Sequence, residues 1–152
     1  LLDQSSGVPL IIRVPGQKPA VCHSFTELLD LYPTVAKLCG LPAQDRLQGK
    51  DISPVFEDPE YKVRDAAFSV APMRKGFLLR TDDWAYIQYE EDASGGIELY
   101  DIKKDPEQYT NLALNPEYAP NVESFKARMV AKLDAVRDND LLDEQGPRAG
   151  LF

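Results

Sequence analysis

The sequence predicts an α/β edge segment followed by an α+β subdomain, in which a small four-stranded antiparallel sheet packs against a C-terminal helix. Three observations predict this class. An almost continuous apolar run covers residues 8–14, β-forming segments follow one another between residues 66 and 102, and an amphipathic segment occupies residues 122–136. A sheet with one apolar face is commonly buried by a helix, which is the α+β arrangement.

The apolar run at residues 8–14 is closed by Pro15-Gly16. Continuous apolarity is typical of a strand buried on both faces of a parallel sheet. A parallel strand needs a neighbour, and the rest of the sequence offers no second strand of this kind. We therefore expect residues 8–14 to pair with another part of a larger protein, or with a second copy in an oligomer. Residues 1–6 are interpreted as the end of a segment that begins upstream of this sequence.

Two short helices are predicted next. Residues 24–27 (Ser-Phe-Thr-Glu) fit a capping box with Ser24 as the N-cap, which predicts a short helix directly after them. Pro33 suits the first turn of a helix, so we expect a break near Leu31 and a second helix over residues 33–38. Residues 48–61 carry turn residues without a clear period and are interpreted as a linker.

The second half of the chain is predicted to form the antiparallel sheet and its helix. Strands are expected at residues 66–70, 76–81, 84–89 and 97–102. A helix is expected at residues 122–136, with Asn121 as its N-cap. Its apolar stripe is predicted to consist of Phe125, Met129, Val130, Leu133 and Val136.

Composition excludes several classes of protein. The chain has 152 residues and a net charge of −8, which argues against a general nucleic-acid binder. No apolar run approaches the roughly 20 residues that a membrane-spanning helix needs. Two cysteines do not make a disulfide-rich scaffold.

The sequence offers few candidates for chemistry. His23, the one histidine, precedes the expected helix and is interpreted as a polar residue at its entry, while Cys22 and Cys39 lack a Cys-x-x-Cys spacing. No calcium, zinc or phosphate-loop spacing occurs. We therefore predict no catalytic and no metal-binding residue. Arg74 and Lys75 form a basic tip and are the candidates for contacting an anionic group, the alternative being a solvated hairpin tip.

Five stretches, taken in order, resemble motifs of the sulfatase family. They begin at a strand-like VPLIIRVPG segment and continue through a Glu27-to-Gly40 segment that resembles D-L-x-P-T-x-x-x-L-x-G. The other three are GKDISP at residues 49–54, LRTDDWAY at residues 79–86, and ELYD at residues 98–101 with DPE at residues 105–107 and Asn111-Leu112. The match covers about residues 7–135, and it is most similar to the iduronate-2-sulfatase branch, followed by arylsulfatases and choline sulfatases.

The resemblance implies an alkaline-phosphatase-like α/β domain with a C-terminal α+β subdomain. In that family a Cys or Ser within C/S-x-P-x-R becomes formylglycine, whose hydrate attacks the sulfate ester, and a calcium ion steadies the charge. Cys22 and Cys39 do not fit this pattern. Calcium and formylglycine are therefore expected in an N-terminal part that precedes Leu1, and this chain alone is expected to be inactive.

The resemblance also implies the domain organisation. Residues 1–47 would be the last strand and helices of the catalytic domain, 48–61 a linker, 62–137 the subdomain beside the site, and 138–152 a tail. The expected partners are the N-terminal part of the same enzyme and a sulfated small molecule or saccharide, with no nucleic acid and no membrane. The sequence leaves the compartment open, whereas the resemblance implies a periplasmic, secreted or lysosomal enzyme.

Two other functions are compatible with the same residues. The chain would be a non-enzymatic interaction or structural module if no catalytic part accompanied it. A relative in the same superfamily that hydrolyses phosphate or phosphonate esters would differ from a sulfatase only in the N-terminal part.

Overall fold

The computed structural model describes residues 1–42, 46–71, 73 and 75–137, and the predicted tail at 138–152 lies outside these residues. The chain divides into two compact units. The helical unit is Val8–Ala67, and the sheet unit combines Leu1–Gly7 with the chain from Phe68 onward. These boundaries differ from the predicted ones, because residues 48–61 belong to the helical unit and the first seven residues belong to the sheet unit.

The sheet unit contains the four-stranded antiparallel sheet that the sequence predicts, apart from Ala66 and Ala67 at the start of the first strand. Its strands are β1 (Ala66–Ala71), β2 (Gly76–Thr81), β3 (Trp84–Tyr89) and β4 (Gly96–Asp101), in the spatial order β1-β2-β3-β4. Each strand begins and ends within one residue of its predicted bounds. The register pairs Arg80 with Ala85 across the β2–β3 hairpin and Trp84 with Asp101 across β3–β4.

One face of the sheet packs against the C-terminal helix, α3 (Ala119–Arg137), as predicted. The helix starts at Ala119 rather than Val122, so the prediction of Asn121 as its N-cap is wrong. A 3₁₀ turn at Pro116–Tyr118 leads into the helix, and the side chain of Asn115 accepts a 3.1 Å hydrogen bond from Glu117 N. The core of this face consists of Leu79, Tyr86, Leu99, Val122, Phe125, Met129 and Leu133.

Val130 does not belong to the apolar stripe that the sequence predicts. It is 54% exposed, whereas its neighbour Met129 is fully buried. Because successive helical residues are rotated by about 100°, burial of Met129 turns Val130 away from the sheet. Val122, one turn before Phe125, is buried instead.

The other face of the sheet, the second face, is covered by the start of the chain. Its buried cluster of Leu78, Ala85, Ile87 and Tyr100 is packed by Leu1 and Leu2. These two residues precede α1 (Asp3–Ser6), a single helical turn. Residues 1–6 are therefore a part of the sheet unit, which the sequence did not indicate.

The helical unit contains little regular structure. A 3₁₀ turn at Leu28–Asp30 leads into α2 (Leu31–Leu38), and a second 3₁₀ turn lies at Ser53–Phe56. Residues 8–14 form no ladder within the described chain. A strand requires a hydrogen-bonded neighbour, and the sequence predicts that this neighbour comes from another part of a larger protein or a second copy, so the strand stays a prediction.

The predicted helix start at Ser24 is wrong. The Ser24 hydroxyl accepts a 2.7 Å hydrogen bond from Val63 N instead. The first turn starts after Glu27, whose N–H donates to Asp30 Oδ2 at 2.7 Å. The 3₁₀ turn and α2 are continuous, without the expected break at Leu31, since Pro33 lies in the first turn of α2, where its missing N–H costs no hydrogen bond.

Gly49 lies against the turn that precedes α2. A Cβ atom at this position would lie 2.0 Å from Leu29 O and 2.6 Å from Leu29 C. These are backbone atoms, so the chain itself would have to move. This close approach explains a glycine here and joins residues 48–61 to the helical unit.

We expect Gly49→Ala to lower the free energy of unfolding by about 3 kcal/mol, the upper part of the range for overpacking. Denaturant titration of the purified protein measures it. Gly40→Ala is the matched control, because a Cβ there meets no atom within 4 Å and only the left-handed φ of 67° opposes it. That conformation costs about 1 kcal/mol. Equal losses for the two variants would contradict the close approach at Gly49.

Candidate functional site

The described residues contain no metal-binding cluster. No group of three or more His, Cys, Asp or Glu side chains in the described part of the chain is placed to hold a metal ion. Cys22 is half-buried, Cys39 is exposed, and both are free thiols. None of the helices described has the length and apolarity required to cross a membrane.

Asp30 is fully buried, and its carboxylate connects several segments of the helical unit. Its carboxylate accepts 2.7 Å hydrogen bonds from Glu27 N and from Lys50 N. Arg64 donates to both of its oxygens, through Nη2 to Oδ1 at 2.7 Å and through Nη1 to Oδ2. Arg64 also lies 3.7 Å from the Glu27 carboxylate. A buried charge is tolerated when it is paired and hydrogen-bonded in this way.

The environment of Asp30 keeps it ionised. Burial by itself raises the pKa of this carboxyl, but the hydrogen bonds from Arg64, Lys50 N and Glu27 N outweigh burial and hold the pKa below its usual value. Burial correspondingly lowers the pKa of Arg64, and the hydrogen bond to Asp30 with the charge of Glu27 raises it above its ordinary value. The pair is thus an ion pair in the folded protein.

Thr34 joins two of the sulfatase-like motifs. Its hydroxyl donates to Asp30 O at 2.6 Å and accepts a hydrogen bond from Ile52 N at 3.0 Å. Ile52 is almost completely buried. The motif around Asp30 and the motif at residues 49–54 therefore hold each other in place, and their polar residues have a structural role. Sequence reasoning missed Arg64, because no local pattern connects it with Asp30.

The motifs in the sheet unit are also used within the fold. Glu98 accepts hydrogen bonds from the hydroxyls of Tyr89 at 3.0 Å and Tyr100 at 2.9 Å. Burial and the Glu98 hydrogen bond raise the pKa of Tyr100. The Asn111 side chain accepts from Leu99 N at 3.0 Å and donates to Ile97 O at 3.2 Å, so it continues the hydrogen bonding of β4.

The predicted anion-binding tip is described only in part. Arg74 lies outside the described residues. Lys75 is exposed, and its Nζ lies 3.1 Å from Glu90 Oε2. It borders a groove whose other lining residues are Val70, Phe77, Glu90, Glu91, Asp92 and Ser94. The acidic side chains offset the charge of Lys75, so the groove as described is not a basic site, and the role of the tip stays a prediction.

The helical unit carries the most unusual surface, which we call the apolar surface. Ile11 is 92% exposed, and Tyr32 and Val35, one turn apart on α2, are more than half exposed. Folded proteins that act alone seldom expose many large apolar side chains in one small unit. The apolar surface consists of Val8, Leu10, Ile11, Val21, Leu28, Leu29, Tyr32, Val35, Leu38 and Leu41. Its chemistry suits contact with another polypeptide segment.

Comparison with known proteins matches residues 1–135 to the family of N-sulphoglucosamine sulphohydrolase C-terminal regions. Human arylsulfatase K is 29% identical over 126 residues, covering 75% of this chain and 24% of its own length. The Δ4,5-hexuronate-2-O-sulfatase of Bacteroides thetaiotaomicron is 31% identical over 137 residues, covering 82% of this chain and 28% of its own. The chain thus spans about a quarter of the length of these curated relatives.

Solved structures share the fold of this region. A 2-O GAG sulfatase superposes with a TM-score of 0.60 and 25% identity, covering 72% of this chain and 25% of its own. The phosphonate monoester hydrolase of Agrobacterium radiobacter gives a TM-score of 0.58 and 26% identity, covering 74% and 25%. The four-stranded sheet with its C-terminal helix matches the C-terminal subdomain of such enzymes, which have the alkaline-phosphatase-like fold. The chain belongs to the N-sulphoglucosamine sulphohydrolase C-terminal family of the sulfatases.

Proposed function

We propose that this chain is the C-terminal region of a sulfatase that hydrolyses sulfate esters of sugars, and that the reaction takes place in a part preceding Leu1. The family match over residues 1–135 carries the proposal. The use of the motif residues within the fold supports it, since Asp30, Thr34 and Asn111 are engaged in structural hydrogen bonds. In this proposal the chain contributes to the fold of the complete enzyme, and the preceding part carries the reaction.

The apolar surface is the proposed contact with the preceding part of the protein. The matched relatives are about four times as long as the matched region, so a large partner of the same polypeptide is available to cover it. The segment at residues 8–14 has backbone groups that form no ladder within the described residues, and Val8 and Ile11 are exposed. Pairing of this segment with a sheet of the preceding part would give its backbone groups a ladder and would cover Val8 and Ile11.

The calcium ion and the formylglycine belong to the same proposal. The described residues do not fit a calcium site, because no cluster of acidic side chains converges in them. The sequence contains no C/S-x-P-x-R segment. We therefore place both groups in the preceding part and assign no step of the reaction to residues of this chain.

The names of the matched relatives support a sulfated sugar as the substrate class. One is a hexuronate-2-O-sulfatase and another a 2-O GAG sulfatase. An iduronate-2-sulfatase-like specificity, which the motifs suggest, belongs to this class and is part of the proposal. Arg74 and Lys75 remain candidates for contacting the anionic substrate in the complete enzyme.

Phosphonate or phosphate ester hydrolysis is the second candidate, favoured by the 26% identity to a phosphonate monoester hydrolase. The full-length protein should be assayed with an aryl sulfate, an aryl phosphate and an aryl phosphonate monoester at the same pH. We expect kcat/KM to be highest for the sulfate. A higher value for either phosphorus ester supports the second candidate, and no turnover of any of the three supports an interaction module.

A further inference from the structure

The start of the chain is held on the second face of the sheet by contacts of three kinds. Leu1 and Leu2 are packed against the buried cluster of that face. The Asp3 carboxylate accepts hydrogen bonds from Arg80 Nε at 3.0 and 3.1 Å and from Arg80 Nη2 at 3.0 Å. Asp3 N donates to Gln108 Oε1 at 2.7 Å. A forked arginine contact of this kind fixes orientation as well as distance.

These contacts join distant parts of the sequence. Arg80 is 77 residues from Asp3, and Gln108 is 105 residues from it. The Arg80 and Asp3 side chains are only 17% and 35% exposed, so water screens their attraction less than that of a surface pair. Gln108 is buried and has a φ of 59°, which an L-residue seldom adopts. The start of the chain is thus tied to residues of the sheet unit that are distant in sequence.

We propose that the Asp3–Arg80 ion pair is the joint that fixes the sheet unit to the part of the enzyme that precedes Leu1, which makes Arg80 a positioning residue for the reaction site. The inference rests on the proposed function. In the proposed function a catalytic part precedes this chain and is linked to it through Leu1, two residues from Asp3. A displacement of α1 would therefore displace the sheet unit from the reaction site, and a shift of about 1 Å can cost on the order of 100-fold in rate.

The test uses the full-length protein with Arg80→Gln, Arg80→Lys and the matched control Lys103→Gln. Lys103 forms an exposed 2.7 Å ion pair with Asp83 in the same unit. We expect Arg80→Gln to raise KM for a 2-O-sulfated disaccharide by about tenfold or more, and to lower kcat by a smaller factor. Arg80→Lys keeps the charge but loses the forked contact, so it should recover only part of the loss. Lys103→Gln should behave as the wild type.

Amide hydrogen exchange gives a readout that does not depend on activity. Ser5 N, Ser6 N and Gly7 N donate the hydrogen bonds of α1. In Arg80→Gln these amides should exchange faster than in the wild type, whereas amides in the middle of β3 should not change.

Three results would overturn the inference. They are a KM for Arg80→Gln equal to that of Lys103→Gln, no recovery by Arg80→Lys, or unchanged exchange in α1. A wild type that hydrolyses no sulfate ester would instead contradict the proposed function. Amide exchange in α1 would then be the remaining test of whether Arg80 holds α1 in place.

Discussion

Replacing Arg64 with methionine is expected to lower the free energy of unfolding by about 3 to 5 kcal/mol at neutral pH. Methionine retains an apolar chain of similar length but removes the guanidinium. Asp30 would keep its hydrogen bonds from Glu27 N and Lys50 N, yet its charge would have no partner although the residue is fully buried. Glu27 would lose the same cation, which lies 3.7 Å away.

The effect of Arg64→Met should depend on pH. The folded-state pKa of Asp30 is lowered in the wild type. Its contribution to stability is therefore present above the unfolded-state pKa of about 3.9 and is lost as the pH falls through the folded-state pKa. Without Arg64, the pKa of the buried Asp30 carboxyl rises. In the variant, protonation therefore removes the unpaired charge at a higher pH than in the wild type. The difference between wild type and variant should be largest near pH 7 and should shrink below about pH 4.

Urea unfolding at several pH values measures this difference. Arg137→Met is the matched control, because Arg137 pairs with Glu91 where both side chains are more than half exposed. An exposed pair contributes about 0 to 1 kcal/mol, so this control should unfold almost as the wild type does. A similar loss of unfolding free energy in the two variants, or a loss that does not vary with pH, would contradict the stabilising role of the Asp30–Arg64 ion pair in the helical unit.

The second large effect is expected from a charge on the apolar surface. In the full-length protein, Val35→Asp should lower stability by about 3 kcal/mol or more, because the proposed contact would bury an unpaired carboxylate. Val130→Asp is its control. Both valines lie on helices and both are 54% exposed within this chain, so exposure in the chain alone predicts the same small effect for each.

Thermal unfolding and the yield of soluble full-length protein distinguish the two outcomes. Docking on the apolar surface predicts a clear fall in the unfolding temperature for Val35→Asp and a small change for Val130→Asp. Equal behaviour of the two variants would mean that the preceding part does not cover α2.

The strands of the sheet could be predicted from sequence because each consists of β-forming residues bounded by turn residues. The hairpin of β2 and β3 was therefore located to the residue. The apolar run at residues 8–14 stays a prediction for a related reason: composition indicates that a segment is suited to a strand, but a neighbouring strand decides whether it forms one. The described chain supplies no such neighbour for this run.

The contacts that organise the two units could not be read from local patterns. Asp30 meets Arg64 across 34 residues, and Asp3 meets Arg80 across 77. Periodicity describes one segment at a time and does not identify pairs at such separations. The sulfatase motifs were recognised, but sequence alone did not show that their polar residues, such as Thr34 and Asn111, support the fold.

The most direct test of the central claim is sulfate release measured in parallel with the full-length protein and with residues 1–152 alone. The substrates are an aryl sulfate and a 2-O-sulfated unsaturated disaccharide. The account predicts turnover by the full-length protein and none by residues 1–152. Turnover by residues 1–152 alone would contradict the placement of the reaction in the preceding part, and absence of turnover by the full-length protein would contradict the proposed sulfatase function.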